Sequence, residues 1–482
     1  MSNGQRSVLV VGSGPTAAMA ALALARSLPA IRVTRLDEGG QESSAEGFGA
    51  GRPSIRAFLA GLGVDEAEIV TRTRANYRLG TRITGLSATP YFRGHGMYGE
   101  GVSGVPFHHL WLRAQRCGTV APFDSFSISA RLASHSRFAA PSAQRESPLS
   151  ALDYGLQLNL PVYGQALRSL GRAAGVEELH GNIAAIIKCP DGGSLHSVKL
   201  TDGRELTADL YVDASGCMGR IRRTLPWRWI DWSTALPVDR LLYLLQPADR
   251  APPPNDELFA LSDGWRYESR TQDVTVHLLG YASAHQSDEQ ARAIFRNETG
   301  AEPQGESVVL RQGRLEEPWF GNCVAIGSAA ISLEPSAATN LHAVCRHLGR
   351  LIGCWSGHNT RETTVEIAYF NRRTALESNR LRDFVQLPYL LNQRPEPFWR
   401  AAAATPASPE LSRDMALFRE RGRLAIHDED SFERDEWLAS FLGLGVIPRR
   451  IDPPAVELPL SRIEECLSQI SAGMRRLMEI PR

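Results

Sequence analysis

The sequence predicts an α/β fold of the two-dinucleotide type with a mostly helical C-terminal lobe, and three stretches of the chain predict it. Val8-Leu9-Val10-Val11 is an apolar, β-branched run that stops at Gly12-Ser13-Gly14-Pro15-Thr16-Ala17 and is followed by the Ala-rich residues 18–28, which reads as strand, tight turn and helix. Leu210-Tyr211-Val212-Asp213-Ala214-Ser215-Gly216 reads as a second buried strand ending in an acid and small residues, of the kind that returns beside the first. Asn322-Cys323-Val324-Ala325-Ile326-Gly327 reads as a third, parallel strand, and it leads through Leu333-Glu334-Pro335-Ser336-Ala337-Ala338-Thr339 into a helix.

In the first turn Gly12 permits the bend, Gly14 lets the backbone approach a pyrophosphate, and the small Ala17 allows close helix packing, with Ser13, Pro15 and Thr16 completing the cradle. Residues 31–36 form a further strand ending at Asp37-Glu38, about the right distance on for a carboxylate that grips a ribose hydroxyl; Asp37 is the first choice and Glu38 the second. This motif alone does not separate FAD from NAD. The late helix, residues 340–352, sets Leu341, Val344, Leu348 and Leu351 at helical spacing. Thr339 stands at its N-cap, where free N–H groups and the positive end of the dipole suit an anion or an electron-rich ring edge.

With 53 basic and 53 acidic residues among 482, the chain has no net field to recruit nucleic acid or an anionic membrane, and a small neutral substrate fits. The N-terminus lacks the pattern of a signal peptide and no apolar run is long enough to span a bilayer. Seven cysteines without a Cys-x-x-Cys pair fit a reduced, cytoplasmic compartment and read as packing residues. Lys188 and Lys199 are the only lysines. The Pro-rich residues 251–255 read as a stiff surface connection, residues 401–409 as an exposed linker to C-terminal helices, and the charged residues 410–434 as a solvated helical face.

Further short segments recur in one shared order: Gly47-Phe48-Gly49 with Pro53-Ser54-Ile55-Arg56, Asn76-Tyr77-Arg78-Leu79-Gly80, Asp213-Ala214-Ser215-Gly216, Leu236-Pro237-Val238-Asp239-Arg240, Tyr369-Phe370-Asn371, Arg382-Asp383-Phe384 and Gly443-Leu444-Gly445-Val446-Ile447-Pro448. In these segments, nearly end to end, the chain resembles the flavin-dependent tryptophan halogenase family. The resemblance implies a monooxygenase-type FAD/NAD(P)-binding flavoprotein fold: a body over residues 1–355, with FAD segments at about 1–85, 160–225 and 305–355 interleaved with a substrate-side sheet, and a helical region over 356–482. It also implies FAD, reduced by a separate flavin reductase, and oxygen as the source of an oxidant that a bound halide takes up. A lysine then handles that oxidant beside an aromatic substrate and a glutamate assists the ring substitution.

This sequence departs from the family where that chemistry is done. Arg78 stands where the resemblance places the lysine, and arginine, always protonated, cannot supply a free amine. Ala337 and Ala338 replace the glutamate and the serine of the family's Glu-Pro-Leu-Glu-Ser-Thr segment, whereas Thr339 and Asn340 match its halide site, whose backbone N–H groups survive side-chain replacement. Gly264-Trp265-Arg266-Tyr267 keeps one Trp of a Trp-x-Trp-x-Ile-Pro motif, and Trp265 reads as core. The expectation is an FAD-dependent oxygenase or oxidase acting on an aromatic, indole-like compound, with Arg78 and Glu334 as the catalytic candidates and Gly12, Ser13, Gly14, Pro15, Thr16, Ala17, Asp37, Asp213, Gly327, Ala338, Thr339 and Asn340 around FAD. The alternatives are halogenation with Arg78 replacing lysine and Glu334 as base, or a non-catalytic flavin or ligand binder. A homodimer is compatible with the family. Trp227, Trp229 and Trp232 read as an edge or interface pack before a substrate wall, His108 and His109 as solvated or packed side chains before metal ligands, and Glu334 mainly as a loop former.

Overall fold

The computed structural model describes residues 5–39, 48–118, 120–144, 146–217, 219–355 and 364–479; Gly47, in one of the family-like segments, lies outside them. The strand Ser7–Val11 sits inside a six-stranded sheet, in the order Trp319–Phe320, Cys323–Ala325, Leu210–Asp213, Ser7–Val11, Arg32–Asp37 and Glu177–His180. All its neighbours pair in parallel except the Trp319–Phe320 edge hairpin. Val8 stands opposite Leu210 and Tyr211 opposite Cys323, so the three strands read from the sequence are indeed adjacent. Near-continuous apolar runs suit strands covered on both faces. Helix Pro15–Ser27 covers one face and packs on helix Leu160–Ala173, where Gly164 lets the two backbones close up: a Cβ there would lie 3.4 Å from Pro15 Cα.

A second sheet of seven strands runs in the order Val308–Val309, Arg240–Pro247, Val274–Tyr281, Gly264–Arg270, Asp256–Leu261, Gly80–Thr84 and Tyr91–Gly94. It is antiparallel apart from the pairing of Asp256–Leu261 with Gly80–Thr84. Strand residues alternate faces, so Trp265 and Tyr267 emerge from the same side of Gly264–Arg270, about 7 Å apart along the strand. Among the described residues every element after Thr364 is helical, beginning with the 28-residue helix Thr364–Leu391.

Several readings of the connections are corrected. Residues 251–255 are not a free surface connection: Pro254 and Asn255 are buried, the Pro254 carbonyl accepts from Leu79 N at 2.7 Å, and the Pro253 carbonyl accepts from Asn76 Nδ2 at 2.8 Å. Proline has no N–H to give, and here the carbonyls of Pro253 and Pro254 do the bonding. Residues 401–409 are no linker either. They finish helix Pro397–Ala403 and start helix Pro409–Arg421, which Ser408 caps by accepting from Leu411 N at 3.0 Å. Within 410–434, Asp414 and Asp430 turn inward onto Arg380, at 2.9 and 2.6 Å, because a buried guanidinium needs carboxylate partners. Cys117 and Cys217 are exposed, so the cysteines are not all packing residues.

Candidate functional site

The first turn is built as Gly12 requires, whereas Gly14 has ordinary extended backbone at φ −91°. Gly12 has φ +153°, and a Cβ there would meet the Ala214 carbonyl oxygen at 2.3 Å, so only glycine lets the turn lie against the neighbouring strand. Ala17 is fully buried. Asp37 ends strand Arg32–Asp37 with its carboxylate accepting from Gly39 N at 3.0 Å and from Arg35 Nη2 at 3.2 Å. Burial alone pushes that carboxyl up, but the Gly39 N–H, the Ser13 hydroxyl and Arg35 outweigh it and hold it below its usual value. Arg35, which sequence reasoning missed, also donates to the Gly12 carbonyl at 3.1 Å and so ties the turn to the acid. Glu38, the second choice, accepts from Ile183 N at 2.9 Å and pairs with Arg220, facing another strand.

Asp213 has a different task from a free acid. Its buried carboxylate accepts from Ser215 N at 3.1 Å and from Ile221 N and Arg222 N, both at 2.8 Å, and thereby shapes the loop that follows its strand. That loop carries Cys217 into the wall of a cavity whose other sides include Pro15, Thr16, Leu160, Gly327 and Asn340. Pro15, Thr16, Gly327 and Asn340, from three separate stretches of sequence, thus meet around one space. Gly327 has φ +59°, and a Cβ there would lie 2.8 Å from Thr16 Cγ2, a second close approach only glycine allows. Two glycine-lined backbone turns, a helix N-terminus and an acid at the strand end suit a dinucleotide. The residues present fit FAD.

Helix Asn340–Cys354 starts at this cavity, with Leu341, Val344, Leu348 and Leu351 all buried as their spacing predicts. Thr339 occupies the N-cap position, but its φ and ψ of −89° and −23° are helical and its side chain makes no capping bond. The Oγ1 atom is buried without a hydrogen-bond partner. Before it, Ala338 adopts φ +56°, ψ +43°, a left-handed conformation uncommon for alanine.

The two catalytic candidates lie in separate buried clusters. Arg78 is 2 % exposed and each of its guanidinium nitrogens has a partner: Nε donates to Asp256, Nη2 donates to Thr81 Oγ1 at 2.9 Å, and Nη1 lies 2.6 Å from His95 Nε2. Asp256 is fully buried and also accepts from Gln157 Nε2 at 2.7 Å and from the Tyr267 hydroxyl. Burial alone would lower the Arg78 pKa, but Asp256 outweighs it and raises it, so the cation is permanent. Arginine only donates, which makes Nε2 of His95 the acceptor and leaves the proton on Nδ1, facing Glu436 Oε1 at 3.2 Å. Burial holds His95 down to about 4, hence neutral. Glu436 completes the chain with a two-pronged pair to Arg52 at 2.6 and 3.0 Å; burial raises its pKa but Arg52 and His95 win and lower it. His95, Glu436 and Arg52 line a cleft with Ser54, His342 and Glu433.

Glu334 heads the other cluster. Its carboxylate accepts from the Ser336 hydroxyl at 2.5 Å, the Tyr389 hydroxyl at 2.8 Å and Gln312 Nε2 at 3.4 Å, and Trp265 Nε1 in turn donates to Tyr389 at 3.1 Å. Burial pushes it up to about 7 against the opposing pull of those donors. Ala337 follows at the end of a 3-10 turn, Pro335–Ala337, with no carboxylate near it on its own side chain. Since Trp265 and Tyr267 share a face of the large sheet, the Glu334 and Arg78 clusters lie side by side on that face.

The remaining candidates are resolved by packing. His108 and His109 are buried and held neutral, at about 3 and about 4, chiefly by desolvation; His108 bonds the Gly422 carbonyl. Trp232 is buried, Trp229 lies on strand Trp229–Asp231, and Trp227 is exposed under Arg223. Among the described residues no group of His, Cys, Asp and Glu could hold a metal ion, and no helix is long and apolar enough to cross a membrane. Missed by sequence reading were Asp256, His95, Glu436, Arg52 and Tyr389. A buried arginine at position 78 demands a carboxylate, which is the one signal that could have pointed to Asp256.

The profile of the tryptophan halogenase family matches residues 7–459. The tryptophan 7-halogenase RebH of Lentzea aerocolonigenes is 24% identical, the match covering 98% of this chain and 96% of RebH. Among solved structures, BrvH, a flavin-dependent halogenase from Brevundimonas sp. BAL3, superposes with a TM-score of 0.93 at 30% identity over 99% of this chain and 97% of BrvH. Xcc4156, a flavin-dependent halogenase from Xanthomonas campestris, does so with a TM-score of 0.90 at 26% identity, covering 98% and 95%. The chain is an FAD-dependent enzyme and belongs to the tryptophan halogenase family.

Proposed function

We propose that this enzyme uses reduced FAD and oxygen to hydroxylate an aromatic, indole-like substrate, without a lysine relay. The observation that carries the reading is the bonding of Arg78, which leaves no free amine at the position of the family's lysine and gives each guanidinium nitrogen a buried partner, while Ala337 offers no base. Pro15, Thr16, Gly327 and Asn340 would hold the cofactor, Asp37 its ribose, and Ala338 and Thr339 the edge of its ring. Bound and reduced, FAD supplies two electrons: with one O2 and one aromatic C–H the products are oxidised FAD, water and a phenol-type C–OH. A separate reductase would return the electrons. Glu334, half-protonated near neutral pH and bonded to Tyr389, can take up the ring proton. Arg78 and Asp256 keep the adjoining cluster rigid.

A second reading, halogenation, is favoured by one observation: the unpartnered Thr339 Oγ1 beside the first N–H groups of helix Asn340–Cys354, a setting for a halide. There the same electrons and O2, with halide and a proton, would give the halogenated arene and two waters.

The deciding experiment supplies the protein with reduced FAD, oxygen and indole, with and without bromide, and identifies products by mass spectrometry. Oxygen incorporation indifferent to bromide supports hydroxylation. Bromoindole overturns it in favour of the second reading, and unchanged indole with flavin bound removes both.

A further inference from the structure

We propose that Asp256 is a positioning residue that decides what chemistry is available at position 78. The two side chains are built as one unit: Asp256 opens strand Asp256–Leu261 directly opposite Thr81, whose hydroxyl receives Arg78 Nη2, so one pair of neighbouring parallel strands supplies both the carboxylate and the hydroxyl that grip the guanidinium. The buried Pro254 carbonyl fixes the approach to Asp256 by holding Leu79 N, next to Arg78 in the chain. Gln157 and Tyr267 donate to the carboxylate from the other sides and hold it aimed at position 78.

A carboxylate so held has a consequence for any cation placed against it. A lysine at 78 would meet the same group in the same dry surroundings and stay an ammonium, since an opposite charge within hydrogen-bond reach favours the charged form. Without Asp256, burial and the neighbouring Arg93 cation would drive that lysine toward the neutral amine, with the neutral His95 and the un-ionised Tyr267 as its remaining neighbours. Arg78→Lys by itself therefore does not recreate a lysine able to react as a nucleophile; the change at 78 needs the change at 256. The inference does not depend on the proposed hydroxylation, in which Arg78 is a rigid support and not the reacting group. Its test needs no turnover, so the two fail separately.

Lysine scarcity makes the test direct. The protein is produced with lysine labelled with 13C at Cε, so the parent shows two signals, from Lys188 and Lys199, and each variant adds one. The titration of that added signal is followed by NMR in Arg78→Lys and in Arg78→Lys/Asp256→Asn, with flavin binding confirming the fold. The expected result is a midpoint for the introduced lysine at or above the ordinary value of about 10.4 in the single variant, and at a pH lower by about 2 or more in the double variant. Coincident midpoints, or a low midpoint already in the single variant, overturn the proposal. Should the asparagine variant not fold, Arg78→Lys/Asp256→Ser, which leaves room for water, is read in the same way.

Discussion

Glu334 carries the clearest pH signature of any single side chain here. Its folded pKa of about 7 lies above the ordinary carboxylate value because burial disfavours the charge, so the folded state binds more protons than the unfolded state between about 4.5 and 7. Its contribution to stability is therefore fullest at the acid end of that window and is lost as pH rises through 7. Glu334→Gln removes the titration while keeping the shape. Between pH 6 and 8 the variant should gain on the parent by about 1.4 kcal/mol in urea unfolding; a gap that does not change with pH would mean that Glu334 is ionised throughout. Arg78 is the opposite case. Its charge is permanent, so its bonding is indifferent to pH over the same range. The permanent charge of Arg78 follows from its residue type, but the shift of Glu334 was not visible in the sequence, where both stand as catalytic candidates and Glu334 reads mainly as a loop former beside a proline. That shift comes from burial among Gln312, Tyr389 and Ser336, two of them far away in the chain.

The elements that could be read in advance are those whose signal is local. Gly12 and Gly14 between an apolar run and an Ala-rich stretch specify strand, turn and helix within a short span, and the apolar spacing of helix Asn340–Cys354 is equally self-contained. Gly12→Ala would push a Cβ into the Ala214 carbonyl and force neighbouring strands apart; FAD titrated by fluorescence should bind at least tenfold more weakly, and unchanged affinity would clear the turn of a role. Elements held by long-range charge were misread. Residues 410–434 look solvated because nothing nearby shows that Arg380 awaits Asp414 and Asp430. Helix Asn340–Cys354 depends on such a contact as well: Glu377 accepts from Arg346 at 2.7 Å, from Arg350 at 2.9 Å and from Ser431 at 2.9 Å. Burial raises the Glu377 pKa, but His342, Arg346 and Arg350 lower it to about 2. Glu377→Gln leaves the largely buried Arg350 without its carboxylate, while the half-exposed Arg346 can turn to water, and should cost about 2 kcal/mol in denaturant unfolding; a loss below about 0.5 kcal/mol would show that water takes the place of the carboxylate for both.

Over the whole molecule the histidines set the acid limit. His95, His108, His109, His342 and His347 are held neutral down to about 4, 3, 4, 3 and 4, all chiefly by desolvation, and His277 shifts in the same direction. In the unfolded chain each takes a proton near 6.5, so stability present above that value is lost as pH falls toward 4, at roughly 1.4 kcal/mol per pH unit for each group. Glu334 and the raised carboxyls of Asp124, Asp153, Asp383, Glu433 and Asp435 work against this trend, whereas the lowered Glu377 and Glu436 add to it. With a total stability of about 5–15 kcal/mol, the fold should give way within about two pH units below 6.5. Near-UV circular dichroism should vanish well before pH 4, and a protein still native there would place solvent at these rings.

The position of Ser7–Val11 inside its sheet has a consequence for how the molecule comes into being. The strand leaves the ribosome long before its neighbour Leu210–Asp213, and Cys323–Ala325 follows later still. Arg52, another early residue, waits for Glu436. No N-terminal fragment that stops short of Asn340 can therefore assemble the cofactor cradle, and loading of FAD waits for that part of the chain. Until then the nascent polypeptide carries open strand edges, which are an aggregation hazard.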